Sequence, residues 1–273
     1  MRLIALPLAV ALAATGCVKD GGGGDGGLRV VAGLYPLAYV ARAVGGGSVD
    51  VVDLTPPGAE PHDVELAPSQ VAALERADVV LLVPGFQPEA DAAARDAAKV
   101  PVEVERSDPH VWLDPTRLRA VADALAERLT ALDPDGGYAA RAERLTLALT
   151  TLDADIEDGL ETCARRDLVT SHAAFGYFAR RYGLTQVSIA GVEPDADPPP
   201  GTIAEIARYV REKDVTTVFF EALVSPKVAE AIAREAGARA ALLDPVESVS
   251  GGDDYESVMR RNLATLRPAL GCR

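Results

Sequence analysis

One pattern limits the possible folds of this chain more than any other, and it occurs twice. Short β-branched runs alternate with Ala-rich stretches from Leu28 to Leu132, cease throughout Tyr138–Cys163, and resume up to Leu270. In the first half the spacing predicts strands at Leu28–Gly33, Val49–Leu54, Asp78–Val83 and Val102–Glu105, with helices at Leu37–Val44, Pro68–Arg76, Pro88–Ala98 and Pro115–Leu132. In the second half it predicts strands at Leu168–Thr170, Gln186–Ile189, Thr217–Glu221 and Ala240–Leu243, with helices at Ala173–Tyr182, Thr202–Lys213, Pro226–Ala236 and Tyr255–Leu270. Several helices open on Pro, whose missing N–H costs nothing in the first turn. Thr202 and Glu205 have capping-box spacing, and Gly183 and Gly237 stand where helix C-caps belong. Strand–helix alternation implies an α/β fold, each half a four-stranded, mainly parallel sheet flanked by helices. The interruption carries Leu145, Leu149, Leu152, Ile156 and Leu160 on one helical stripe. A ~26-residue helix there would be about 39 Å long, a candidate strut between the halves.

The first residues read as an address. Residues 1–17 hold one cation, a short apolar run containing Pro7, and small residues before Cys17, the form of an export signal too short to persist as a spanning helix. Ala14-Thr15-Gly16-Cys17 resembles a bacterial lipobox, in which the cysteine is lipidated; an ordinary signal with an incidental cysteine is the alternative. Residues 18–27, mostly glycine, read as a flexible tether. The body is then expected to divide into an N-terminal lobe at 28–134, a linking helix at 135–164 and a C-terminal lobe at 165–273, outside the cytoplasm and held by a lipid anchor at the outer face of the cytoplasmic membrane or in the periplasm. In that compartment Cys163 and Cys272 are expected to pair; two separate buried thiols are the alternative. With 27 Lys and Arg against 41 Asp and Glu, the net charge of −14 lacks the cation surplus that neutralises phosphates, so nucleic acid is excluded as a partner and a cation suits the chain better.

The chain has three histidines. His62 follows the second predicted strand, His110 the fourth, and His172 the first strand of the second half. Open parallel sheets bind ligands at the carboxyl ends of their strands, and every histidine stands at such an end. Asp244, after the last predicted strand, occupies an equivalent place. Two residues from each half therefore converge on one cleft.

The motifs around these positions are Glu60-Pro61-His62-Asp63 with Glu65 and Pro68-Ser69, Asp108-Pro109-His110-Val111-Trp112-Leu113-Asp114, and Thr170-Ser171-His172-Ala173-Ala174-Phe175. With Phe219-Phe220-Glu221, Val224-Ser225-Pro226 and the segment Tyr255–Leu263, they closely resemble the zinc/manganese substrate-binding lipoproteins of bacterial ABC importers, the ZnuA-like family. The resemblance runs from about Leu28 to Cys272. It implies two α/β lobes joined by one long helix, a monomer that works with an ABC permease and its ATPase, and metal ligands at His62, His110, His172 and Asp244. Asp253 and Asp254 lie close enough in sequence to be alternatives to Asp244, and Glu221 is a candidate to orient a ligand histidine. Two departures stand out: Val83–Ser107 contains no His, where many zinc members carry a His- and acid-rich loop, and Val83-Pro84-Gly85-Phe86 is a loose form of the family's aromatic loop.

Three imidazoles and one carboxylate form a set that tetrahedral zinc accepts. Manganese prefers more oxygen, and manganese-binding relatives place a carboxylate where His172 stands, so a manganese homologue is the second reading. Copper and nickel are not excluded by donor type. A zinc-dependent hydrolase is the rival from another class, with Glu221 or Glu60 as base if Asp244 leaves the fourth position to water. Against an enzyme, the chain has no His-Glu-x-x-His segment and no Gly-x-Ser-x-Gly elbow. A surface adhesin or a metal-buffering lipoprotein would need the same lipid, tether and metal site.

Overall fold

The computed structural model describes residues 27–95, 99–100, 102, 107–194, 198–249 and 251–273. The export signal, Cys17 and nearly all of the tether lie outside the described residues. The first half runs β1 (Leu28–Ala32), α1 (Tyr35–Gly45), β2 (Val49–Asp53), α2 (Pro68–Glu75), β3 (Val79–Leu81), α3 (Pro88–Ala93), β4 (Lys99–Val100) and α4 (Pro115–Leu132). Then comes α5 (Tyr138–Glu161), followed by β5 (Asp167–Thr170), α6 (Gly176–Arg181), β6 (Thr185–Ser188), α7 (Pro200–Glu212), β7 (Thr217–Phe220), α8 (Lys227–Ala236), β8 (Arg239–Leu242) and α9 (Tyr255–Leu270). The strands form two four-stranded sheets, ordered β2-β1-β3-β4 and β6-β5-β7-β8, and every pairing is parallel. The two lobes thus repeat one topology.

Local chemistry explains where elements depart from expectation. The fourth strand is Lys99–Val100, paired with Val80 and Leu81. It is not Val102–Glu105: Val102 is described and lies outside any strand, and 103–106 fall outside the described residues. Pro101, next in sequence, has no N–H with which to extend a ladder. Helix α6 begins at Gly176 rather than Ala173, because the bend and turn before it are bonded to the segment after β6: Ala173 N donates to Gly191 O, and Ala190 N to Ser171 O. Helix α7 begins at Pro200, so Thr202 lies inside the first turn, its N–H on Pro199 O, and makes no side-chain cap. Helix α9 is capped instead by Asp254 and Ser257 in a reciprocal pair.

Period-two alternation sorts each sheet's side chains between two cores. In the first sheet Val30, Ala32, Val79 and Leu81 face one core, while Val31 and Val80 face α2 and α3 with Leu54 and Leu74. In the second sheet Leu168 and Phe219 face that same first core, and Val169 and Val218 turn to a separate one with Ile206, Val210 and Ile232. A single hydrophobic core therefore passes through both lobes. Helix α5 runs along it: Leu145, Leu149, Leu152, Ile156 and Leu160 are all buried there, each contributing about 1.5–3 kcal/mol of burial. Gly159 on this helix marks a close approach to α9; an added Cβ would stand 2.9 Å from a Leu263 methyl. Cys163, just past α5, is disulfide-bonded to Cys272, just past α9.

Candidate metal centre

The three histidines come from loops at the carboxyl ends of three strands. His62 lies between β2 and α2, His110 between β4 and α4, and His172 directly after β5. All three side chains are buried, at 3%, 0% and 0% exposure. Their rings cluster with centroids 5.1–5.8 Å apart. The fourth member is Glu247, from the loop after β8 and itself 3% exposed. One ligating atom from each of His62, His110, His172 and Glu247 falls within 4.8 Å of every other.

The separations suit a tetrahedral ion. His110 Nε2 and His172 Nε2 are 3.3 Å apart, and Glu247 Oε1 lies 3.3, 3.5 and 3.9 Å from Nε2 of His110, His62 and His172. Zinc bonds of 2.0–2.1 Å define a tetrahedron with edges of about 3.3 Å. His62 Nε2 and Glu247 Oε1 are buried with no hydrogen-bond partner among the described residues. Such atoms are costly to bury unless something cationic satisfies them.

Each imidazole turns its other nitrogen outward to a carboxylate. His110 Nδ1 is 3.1 Å from Asp108 Oδ1, His172 Nδ1 is 2.5 Å from Glu221 Oε2, and His62 Nδ1 is 3.6 Å from Glu193 Oε2. A carboxylate hydrogen-bonded to Nδ1, as Asp108 is at His110, favours the tautomer that presents Nε2 to a metal. Glu221 is itself anchored by Ser171 Oγ at 2.5 Å. Asp108 lies 3.5 Å from Arg180 of the other lobe, and Gly176 is required beneath it, since a Cβ there would meet Asp108 Oδ2 at 2.3 Å. Phe86 stacks edge-on against His62 at 4.4 Å, and Trp112 packs 5.3 Å from His110.

Charge is concentrated here. Burial works against a proton on His110, but the Asp108 and Glu247 carboxylates beside it outweigh that and raise its pKa to about 9. Burial likewise disfavours ionised Glu247, yet His110 and His62 lower its pKa to about 2. Both shifts express one contact, and a divalent cation would compete for His110 with the proton that this contact favours. Glu60, which accepts from His62 N at 3.2 Å, has its pKa raised by burial and then by Glu247.

Asp244 does not join the four converging donors. Its Oδ1 accepts the Val246 N–H at 2.8 Å, closing a turn within its own loop, and Glu247, three residues on, supplies the carboxylate. The other sequence candidates also have structural roles: Asp254 caps α9, and Asp253 binds Arg261 at 2.8 Å. Glu247 is not legible from the sequence because it stands five residues beyond β8, farther from the strand end than Asp244. The available signal was Asp244-Pro245, a turn-forming pair whose Asp side chain tends to return to its own backbone.

The family description "Zinc-uptake complex component A periplasmic" matches residues 30–269. The chain is 33% identical to zinc-binding protein AdcA of Streptococcus pyogenes over 89% of its own length and 56% of that protein's, so it spans about half of that relative. Among solved structures, the laminin-binding protein Lmb of Streptococcus agalactiae, titled a bifunctional protein with adhesin and metal transporting activity, shares 32% identity at a TM-score of 0.80, over 89% of this chain and all of that one. The Zn(II)-bound ZnuA-like domain of Streptococcus pneumoniae AdcA shares 30% identity at a TM-score of 0.77, over 90% of this chain and 99% of that one. This chain, with its paired parallel sheets and its cluster of three histidines and a glutamate, belongs to the ZnuA family of periplasmic zinc-uptake binding components, a family of binding proteins and not of enzymes.

Proposed function

We propose that this protein captures Zn(II) between its lobes, on His62, His110, His172 and Glu247, and delivers it to the permease of an ABC importer. The observation that carries the reading is the convergence of one nitrogen from each of three imidazoles and one carboxylate oxygen within 4.8 Å of one another, with a carboxylate beside the outer nitrogen of each ring. Four protein donors close the coordination sphere, which suits cargo held for release and leaves no position for a hydrolytic water. Three imidazoles favour zinc over manganese. Residues 1–17 would direct export, Cys17 would carry the lipid, and residues 18–27 would let the monomeric body reach a membrane-embedded permease. Capture involves a small tilt and the ordering of site loops, without wide opening of the lobes.

The test is elemental analysis and chelator-competition titration of the exported chain. One zinc per chain is expected, with His110→Ala and His172→Ala each weakening binding by at least about 100-fold and manganese failing to compete. A chain that takes up no zinc, or His variants that bind like the parent, would overturn the reading. Zinc uptake undiminished by deletion of the gene would remove the transport role while leaving the metal site.

A further inference from the structure

The loop that presents Glu247 is held in a conformation its sequence disfavours. Val246, directly before Glu247, has φ 60° and is fully buried. The left-handed region is a steric outlier for a β-branched side chain. Among the described non-glycine residues only Asp214 shares a positive φ, and Asp tolerates it far better.

Several contacts hold this turn from outside. Asp244 Oδ1 accepts the Val246 N–H at 2.8 Å. Asp244 is in turn gripped by Asn262 of α9: its N–H donates to Asn262 Oδ1 at 3.0 Å, and its carbonyl accepts from Asn262 Nδ2 at 2.6 Å. The next carbonyl, Pro245 O, accepts from Trp112 Nε1 at 2.7 Å, and Trp112 lies two residues from His110. Beyond Glu247, Ser248 Oγ accepts the Gly58 N–H at 2.7 Å, which reaches the loop of His62. Both flanks of Glu247 are therefore fastened to segments that carry the other lobe's histidines.

We infer that Asp244, with Asn262 and Trp112 behind it, is a positioning residue for the fourth donor: it holds Val246 left-handed so that the Glu247 carboxylate points into the cluster. The inference rests on the four-donor zinc reading. With a relaxed φ at Val246 the following peptide swings away, and Oε1 leaves its 3.3–3.9 Å approach to the imidazoles. Asp244 acts through its acceptor oxygen and not through its charge. An amide oxygen at the same place does the same work.

The experiment is a cycle of zinc affinities, by chelator competition, for the exported chain and its Asp244→Ala, Asp244→Asn, Glu247→Gln and Asp244→Ala/Glu247→Gln variants, with metal-free melting curves to establish folding. Asp244→Ala is expected to weaken binding about 10- to 100-fold, the usual span for a partner behind a ligand. Asp244→Asn should stay within about threefold of the parent, and Asp244→Ala should add less than about twofold once Glu247 is Gln. Should Asp244→Ala melt too low to titrate, Asn262→Leu, close in size and lacking both hydrogen bonds to Asp244, carries the same cycle: about 3- to 10-fold weaker binding in the parent and none in Glu247→Gln. Asp244→Asn as weak as Asp244→Ala would mean that the carboxylate itself is needed, and would overturn the inference. So would a full additional loss on the Glu247→Gln background, or no loss on the parent. Failure of the metal-centre reading looks different: Glu247→Gln and His110→Ala would then bind like the parent.

Discussion

Replacing Cys163 and Cys272 with Ser separates what holds the chain together from what holds the metal. The bridge joins positions 109 residues apart, and in the chain-entropy treatment a loop of that length removes about 16 cal/mol/K from the unfolded ensemble, or about 5 kcal/mol at 25 °C. Neighbouring contacts survive the change: Arg165 N donates to Leu270 O at 3.0 Å, Thr162 Oγ1 to Arg273 O at 3.2 Å, and α9 remains packed on α5. The folded geometry is retained, so the loss falls on the unfolded state. With a urea dependence of about 2.5 kcal/mol/M, the midpoint should fall by roughly 1.5–2 M. The measurement is urea unfolding in excess chelator, because bound zinc would add its own stabilisation. The bridge sits before β5, at the opposite end of the second sheet from the donors, so zinc affinity should stay within about twofold. A stability loss below about 1 kcal/mol would refute the entropic reasoning, and a tenfold loss of affinity would refute the separation of the two ends.

At the end of β2, burial raises the Asp53 pKa to about 6, although its Oδ1 accepts the Thr55 N–H at 3.1 Å. A carboxyl held above its unfolded value stabilises most below pH ~4, and that contribution is lost as pH rises through about 6. Asp53→Asn keeps the acceptor and should gain on the order of 2 kcal/mol over the parent between pH 4 and pH 7.5, read from unfolding at both; a gain equal at the two pH values would contradict this. X-ray scattering should show a radius of gyration that changes by less than about 1 Å when zinc is removed, because both lobes share one core; a change of several ångströms would count against it.

The lobes were legible because crossover helices force parallel strands, and the β-branched runs and Pro-led helices marked both. Pro115–Leu132 and Tyr255–Leu270 stand where the pattern placed them. The start of α6 was not legible, since the hydrogen bonds that hold Ser171 and Ala173 out of the helix come from the segment after β6, distant in sequence. The same division governs the site. Each histidine could be placed at a strand end from local pattern alone, and Glu221 could be placed beside a histidine. Telling Asp244 from Glu247 needs the course of the loop after β8, where Val246 turns left-handed and where Asn262 and Trp112, neither of them local to the loop, bond its backbone.

The two lobes supply two donors each, yet they are not free to separate. Trp112, fully buried, donates to Pro245 O across the interface and accepts at its own carbonyl from Tyr255 Oη at 2.6 Å, while Tyr39 Oη reaches Glu256 at 3.0 Å. Wide opening would break these buried bonds and expose Trp112 and Tyr255 along with them. Each large aromatic costs a few kcal/mol to expose and each orphaned buried group about 1–3 more, which would offset a large part of the affinity gained from the ion. His110, Glu247 and His172 are fastened by Asp108, the Asp244 turn and Glu221 respectively. His62 is fastened least: its outward carboxylate is the exposed Glu193, at 3.6 Å, and it stands on a loop rich in Pro and Gly between β2 and α2. On the proposed reading, adjustment to an arriving ion is therefore expected to be cheapest at His62 and its loop, with only a small tilt between lobes that share one core.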